Sequence, residues 1–301
     1  MSSRSAWSCS WGLTESLYRA GGPGGTEIAG SRIGSVNDTY THGHHSSVLK
    51  SHTWRTAQNS AGYLLAHLSP ALSLLDVGCG PATISCDLAT RVGHVLGIDT
   101  AEGILDTAEA TKVERGADNV EFRLGDVYRL EFEDNSFDVV HAHQVLQHLS
   151  DPVTALKEMV RVAKPGGLVA VRDADYHAMS WYPEPAGLDL WMDVYQRVAR
   201  RNDAEPDAAR HLLRWTAEAG IERDRVEASV GTWLYCTEAE RLWWGALWAE
   251  RSVSSAFGTQ AREYAIATEE DLAVIVEGWK EWMTDPSAWF VVPNGELLIR
   301  V

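Results

Sequence analysis

Short apolar runs alternating with helical stretches between residues 71 and 174 predict an α/β fold, doubly wound around a mostly parallel sheet with helices on both faces. A glycine turn, Gly78-Cys79-Gly80, follows the first apolar run, as in folds of this class that bring backbone close to a ligand. After Asp173 the pattern changes to long helical stretches with few strands, and ten of the 13 tryptophans lie from Trp181 onward.

Taken in order, residues 1–36 are rich in Ser and Gly and read as a disordered tail or an exchanged segment, with a short helix near Trp11 to Tyr18. From Asn37 to Ser69 the chain reads as helical, ending at Pro70. Leu72 to Val77 is a buried parallel strand, and after the glycine turn a helix runs to about Arg91. His94 to Asp99 is the second strand. Glu102 to Arg115 is a helix with Ile104, Leu105 and Ala108 on one face. Val120 to Leu124 and Phe137 to Ala142 are the third and fourth strands. Asp151 and Pro152 open a helix as N-cap and first residue, and Lys164-Pro165-Gly166-Gly167 stops it before a fifth strand, Leu168 to Asp173. Helices at about 185–202 and 205–219 precede a strand from Val226 to Tyr235. Helices at about 238–257 and 269–284 precede a strand from Ala288 to Pro293 and a last short one.

The chain of 301 residues has 26 Lys and Arg against 42 Asp and Glu, a net charge of −16, which argues against a nucleic-acid or anionic-membrane partner. Cys9, Cys79, Cys86 and Cys236 form no CxxC pair, so neither a zinc site nor a disulfide framework is expected. No secretion signal or membrane span is read, and the expected location is cytoplasmic. His42, His44 and His45 share no helical face and have no carboxylate or Cys among them, so no metal is expected.

The chemistry concentrates at the ends of strands one to three. Gly78-Cys79-Gly80 alone is also compatible with a tight turn that holds nothing. Thr83 stands where a dinucleotide fingerprint needs its third glycine, and no P-loop Lys follows. Asp99 ends the second strand, where a carboxylate accepts two ribose hydroxyls or caps the next helix. Gly125-Asp126-Val127 ends the third, where Asp126 meets an adenine amine and the Val127 N–H a ring nitrogen, or Asp126 shapes a turn.

Together the segments LLDVGCGPA (74–82), VLGIDTAEGIL (95–105), Gly125-Asp126, FDVVHAHQVLQHLSDP (137–152) and KPGG (164–167) resemble the class I S-adenosylmethionine-dependent methyltransferases, in the branch with the ubiquinone and menaquinone C-methyltransferases. The resemblance implies a Rossmann-like, seven-stranded sheet, an N-terminal helical lid over 37–70, and a methyltransferase domain over 71–301 with a helical substrate cap at about 176–222 and 237–286. It implies S-adenosyl-L-methionine as cofactor, with Asp76, Gly78 and Gly80 around its methionine part, Asp99 on the ribose followed by Thr100, Asp126 and Val127 on the adenine, and His143 under the sulfonium. Tyr40 and Arg55, on the lid, would hold the methionine carboxylate. Ala82 departs from the glycine common in the family. The expected partners are a small-molecule substrate and further copies of the chain in a homo-oligomer.

The loop after strand five, Asp173 to Tyr182, is where substrate sits in such a fold, and His177 is the candidate catalytic base. Trp181, Tyr182, Trp191, Tyr195, Trp243, Trp244 and Trp248 divide between core and an aromatic chamber whose ring faces would steady a cationic alkylated substrate. That chamber is similar to what teleocidin-type indole-terpenoid C-methyltransferases of actinobacteria require. O- or N-methylation, an NAD(P)-dependent oxidoreductase and a non-catalytic adenosylmethionine-binding scaffold are the competing readings.

Overall fold

A computed structural model describes residues 54–301. Its sheet begins with five parallel strands, β1 (Ser73–Val77), β2 (His94–Asp99), β3 (Val120–Leu124), β4 (Phe137–His143) and β5 (Ala163–Ala174), in the spatial order β3-β2-β1-β4-β5. Side chains on these strands alternate between two apolar faces, as a sheet covered on both sides requires. Leu75, Val77, Ile98, Val140 and Val171 join one buried cluster, and Leu74, Val95, Val139 and Ala170 join another on the opposite face. The Lys164–Gly167 turn lies within β5 as an irregularity: Phe137 pairs with Ala163, and the ladder resumes at Val139 with Leu168.

β8 (Trp289–Arg300) lies antiparallel to β5 and to β7 (Val226–Tyr235). β7 occupies one edge of β8 over Phe290 to Ile299, so β6 (Ser180–Tyr182), paired with Trp289–Val291, takes the same edge as β5. The sheet therefore has eight strands where seven were expected, because β6 takes up the β5 position along β8. One unbroken β8 replaces the two short strands expected here. Pro293 is tolerated because its carbonyl accepts from Asp175 N–H at 3.0 Å, which turns its missing donor toward the gap between β5 and β6.

The helices are α1 (Ala57–Ser60), α2 (Thr83–Ala89), α3 (Glu102–Arg115), α4 (Pro152–Val162), α5 (Ala186–Arg201), α6 (Leu212–Glu218), α7 (Glu238–Ser254), α8 (Ala256–Glu263) and α9 (Glu269–Thr284). α4 starts as its sequence predicts, with Asp151 Oδ1 accepting from Thr154 N–H at 3.0 Å and Pro152 in the first turn. Two helical expectations are corrected. Of the stretch ending at Pro70, the described part holds only the single turn of α1 and a 3-10 turn at Leu65–His67; Thr56 and Asn59 start α1 as a capping box, and the non-helical backbone of Ala61 (φ −135°, ψ 21°) ends it. The helix expected over 238–257 is split at Ser255, whose extended backbone ends α7 and whose hydroxyl accepts from Phe257 N–H to start α8. Residues 1–36, the short helix near Trp11 and the lid as far as 53 lie outside the described residues.

The tryptophan-rich half forms its own core. Trp191 packs edge-on against Trp248 and Trp279, at 4.7 and 5.0 Å between ring centroids, and Tyr195 stacks on Tyr176 at 4.1 Å. Such pairs add about 0.5–1.5 kcal/mol each beyond area burial. This cluster holds α5, α7 and α9 against the β8 end of the sheet.

Candidate active site

The carboxyl ends of β1, β2 and β4 and the turn after β3 open into one cleft of about 1390 Å³, its mouth included. Its floor is the glycine turn. Gly78 has a φ of +66°, and a Cβ there would stand 2.6 Å from Val145 Cγ2. Only glycine meets both conditions. Ala82 closes the turn with a φ of +62°, a left-handed conformation that glycine adopts more readily than alanine. Gly80 N–H and Ala101 N–H donate to the two oxygens of Asp99, at 3.1 and 3.2 Å, so the carboxylate is fixed at the tip of β2 facing the cleft. A carboxylate there is an acceptor suited to hydroxyl donors such as those of a ribose. Beside it, Thr100 Oγ1 is buried with no hydrogen-bond partner among the described residues, although Thr100 lines the cleft.

Asp76 also lines the cleft, but its carboxylate is held from behind. Oδ1 is 2.7 Å from His141 Nδ1, and Oδ2 accepts from the Ser85 hydroxyl. Its role in the fold is to anchor the glycine turn to β4 and α2. At the end of β3, Gly125 and Val127 line the cleft. Asp126 is not part of that lining; its Oδ1 accepts from Tyr128 N–H at 2.9 Å in an Asx turn that presents Val127. His143 lines the cleft from the end of β4, its ring 5.7 Å from that of Trp233. The Arg55 guanidinium carbon lies over the Trp233 ring, 5.5 Å from its centroid, and Arg55 donates to Gln144 Oε1. Tyr40, the second expected lid residue, lies outside the described residues.

The catalytic expectation is corrected. His177 is exposed and does not line the cleft. Its 3-10 turn is capped by Asp175 and tied by the His177 N–H to Asp207 Oδ1 at 2.8 Å, which turns Tyr176 and Met179 inward and the imidazole out. The chamber expectation is refined likewise. Trp244 and Trp248 line the cleft, Trp191 and Tyr195 are core, Tyr182 is exposed, and Trp181 and Trp243 pack outside the lining.

Sequence reading missed Tyr176, Trp233, Tyr235, His148 and Arg251, all of which line the cleft. Trp233 and Tyr235 alternate on β7, a period-two signal that was available. His148 is buried and depressed to about 3 by desolvation and the nearby Arg55 charge, so it is neutral and a weak base. Burial also raises Asp173, behind the chamber, to about 7. Tyr176 and Tyr235 are pushed up by burial and held back by the Arg251 and Arg55 charges. Among the described residues no group of His, Cys, Asp or Glu side chains is arranged to hold a metal, and no helix is long and apolar enough to cross a membrane.

Comparison with known proteins places this cleft in context. Residues 75–171 match the methyltransferase domain family. An uncharacterized methyltransferase of Schizosaccharomyces pombe is 33% identical over 270 residues, covering 87% of this chain and 96% of that protein. A demethylmenaquinone methyltransferase of Lactococcus lactis is 38% identical over 116 residues, 38% of this chain and 46% of that one. The YcgJ protein of Bacillus subtilis shares the fold, with a TM-score of 0.51 at 19% identity over 79% of this chain and 97% of its own.

Proposed function

The chain belongs to the class I S-adenosylmethionine-dependent methyltransferases, and on that premise we propose that it methylates a small aromatic or prenylated metabolite at carbon. The observation that carries this reading is the continuity of two surfaces: the strand-edge cleft with Gly78, Asp99 and Thr100 runs into a chamber walled by Tyr176, Trp233, Tyr235, Trp244 and Trp248.

When bound, S-adenosylmethionine would supply an electrophilic methyl group to the acceptor. Asp99 accepts the ribose hydroxyls, and the unpartnered Thr100 hydroxyl gives a further bond at the same edge. Val127 would meet the adenine with its backbone N–H, and Asp126 shapes the turn that presents it. The glycine turn, braced by Asp76, leaves room for the methionine part, and Arg55 with Tyr40 takes its carboxylate. His143 lies at the junction of cleft and chamber. The chain then has to align an electron-rich carbon and exclude water. A prenylated acceptor methylated at its double bond becomes a carbocation, which the ring faces steady until it loses a proton or closes a ring.

A second reading, O- or N-methylation, is favoured by one observation: His143 is buried in the cleft, within reach of an acceptor proton. Incubation of the protein with methyl-labelled S-adenosylmethionine and a panel of phenols, indoles and prenylated indoles tests both. A product with its methyl resonance on carbon supports the proposal. Label found only on oxygen or nitrogen transfers the assignment to the second reading, and binding of NADH in place of adenosylhomocysteine would overturn both.

A further inference from the structure

The turn out of β4 holds a strained residue. Gln144 lines the cleft with a φ of +53°, the left-handed region where a side chain with a Cβ meets a steric cost. Its N–H still donates to Arg172 O at 2.6 Å, so the strained residue stays tied to β5. The side chain shows what the conformation provides. Oε1 accepts from Arg55 Nη2, and Nε2 donates to Asn294 Oδ1 at 3.3 Å. Asn294 is buried on β8, between β5 and β7, and its own Nδ2 donates to Val292 O at 2.9 Å. Chemistry permits only this direction. A guanidinium only donates and a backbone carbonyl only accepts, so each of the two amides between them has to face as it does. The chain of bonds ties Arg55, just before α1, to the sheet, through partners 89 and 150 residues apart in sequence. A glutamate at 144 would accept from Arg55 but could not donate to Asn294, and a glycine would relax the backbone but hold neither partner.

We propose that Gln144 is a positioning residue: it holds the Arg55 guanidinium at the cleft, over the Trp233 ring, in the place where it meets the amino-acid carboxylate of the bound cofactor. The proposal rests on the methyltransferase reading and deepens it at one point, the recognition of the methionine part. An arginine side chain has many rotamers, and fixing one of them before the ligand arrives removes that ordering cost from binding. The strain at Gln144 is what places its amide between Arg55 and Asn294.

The test is titration calorimetry on the full chain with two ligands: adenosylhomocysteine, which carries the carboxylate, and 5′-methylthioadenosine, which lacks the amino-acid part. Gln144→Gly, which accepts the left-handed backbone without strain, should weaken adenosylhomocysteine by about fivefold or more, about 1 kcal/mol, and leave 5′-methylthioadenosine within about twofold. Arg55→Ala should show the same selective loss. Because Gln144 acts through Arg55, adding Gln144→Gly to Arg55→Ala should cost nothing further. Equal losses for the two ligands, losses that add in the double variant, or unchanged adenosylhomocysteine affinity in either single variant overturns the proposal. Should the unaltered chain bind neither ligand, the methyltransferase reading fails and this inference with it; binding of both, with a ratio that Gln144→Gly leaves unchanged, sinks the inference alone. If Gln144→Gly does not fold, Gln144→Asn is read against the same expectations, since it tolerates the backbone and is one methylene too short to span both partners.

Discussion

Asp76 and His141 face each other across β1 and β4 as ladder partners, and their side chains meet at 2.7 Å in a place with almost no solvent exposure. This bond fixes the strand that ends in the glycine turn. His141→Ala would leave the Asp76 carboxylate short of a buried partner, at a cost of about 1–3 kcal/mol. Both stability in urea and affinity for adenosylhomocysteine should fall, and His141→Asn, which keeps a donor, should recover part of each. Full stability in the alanine variant would show that the pair does not brace the turn.

Asp99 joins the turn to the ribose position. Asp99→Ala removes the acceptor for Gly80 N–H and Ala101 N–H as well as for the ligand. Titration calorimetry should show adenosylhomocysteine affinity reduced by more than tenfold, about 1.4 kcal/mol or more. An unchanged constant in a folded variant removes Asp99 from the ribose.

The part of the site that was legible in the sequence is the part built locally. Gly78, Asp99 and Val127 each follow a short apolar strand, and the order of strands decides that they converge. Their surroundings depend on partners far along the chain. His141 meets Asp76 over 65 residues, and the Trp233 indole Nε1–H donates to Asn59 O over 174, so no periodicity announces either contact. His177 shows the limit within a single loop: a candidate base beside two lining residues was turned outward by a bond from its own backbone to Asp207. Ser255 shows it for helices, since one extended residue splits a stretch whose pattern is continuous.

Two buried groups, His148 in the cleft lining and Asp173, should give the protein opposing pH dependences. Asp173 is raised from its ordinary 3.8 to about 7 by burial, so between about pH 4 and 7 the folded chain keeps a proton that the unfolded chain releases. Its contribution is present in acid and is lost as pH rises through 7. His148 is lowered from 6.5 to about 3, so its contribution is present above 6.5 and is lost as pH falls through 3. Each amounts to as much as about 4–5 kcal/mol, at about 1.36 kcal/mol per pKa unit. Relative to the unaltered protein, Asp173→Asn should gain stability as pH rises from 4 to 7, and His148→Gln should lose it as pH rises from 3 to 6.5. Urea midpoints at three pH values read both slopes, and parallel curves for all three proteins would contradict the burial of these charges.

Arg172 and Glu296 are likewise ladder partners joined through their side chains, Nε donating to Oε1 at 3.0 Å on the β5–β8 seam. Burial works against the Arg172 charge, and Glu296 and the face of Trp233, 4.7 Å from the guanidinium carbon, work for it. Ser229 donates to the remaining Glu296 oxygen at 2.9 Å. Removing one charge is worse than removing both, because a lone buried ion keeps its desolvation cost without its partner. Glu296→Gln should therefore destabilise by about 3–5 kcal/mol, while Arg172→Met with Glu296→Leu should lie closer to the unaltered protein. If the single variant proved the milder of the two in denaturant, the pair would be contributing through packing around Trp233 rather than through charge.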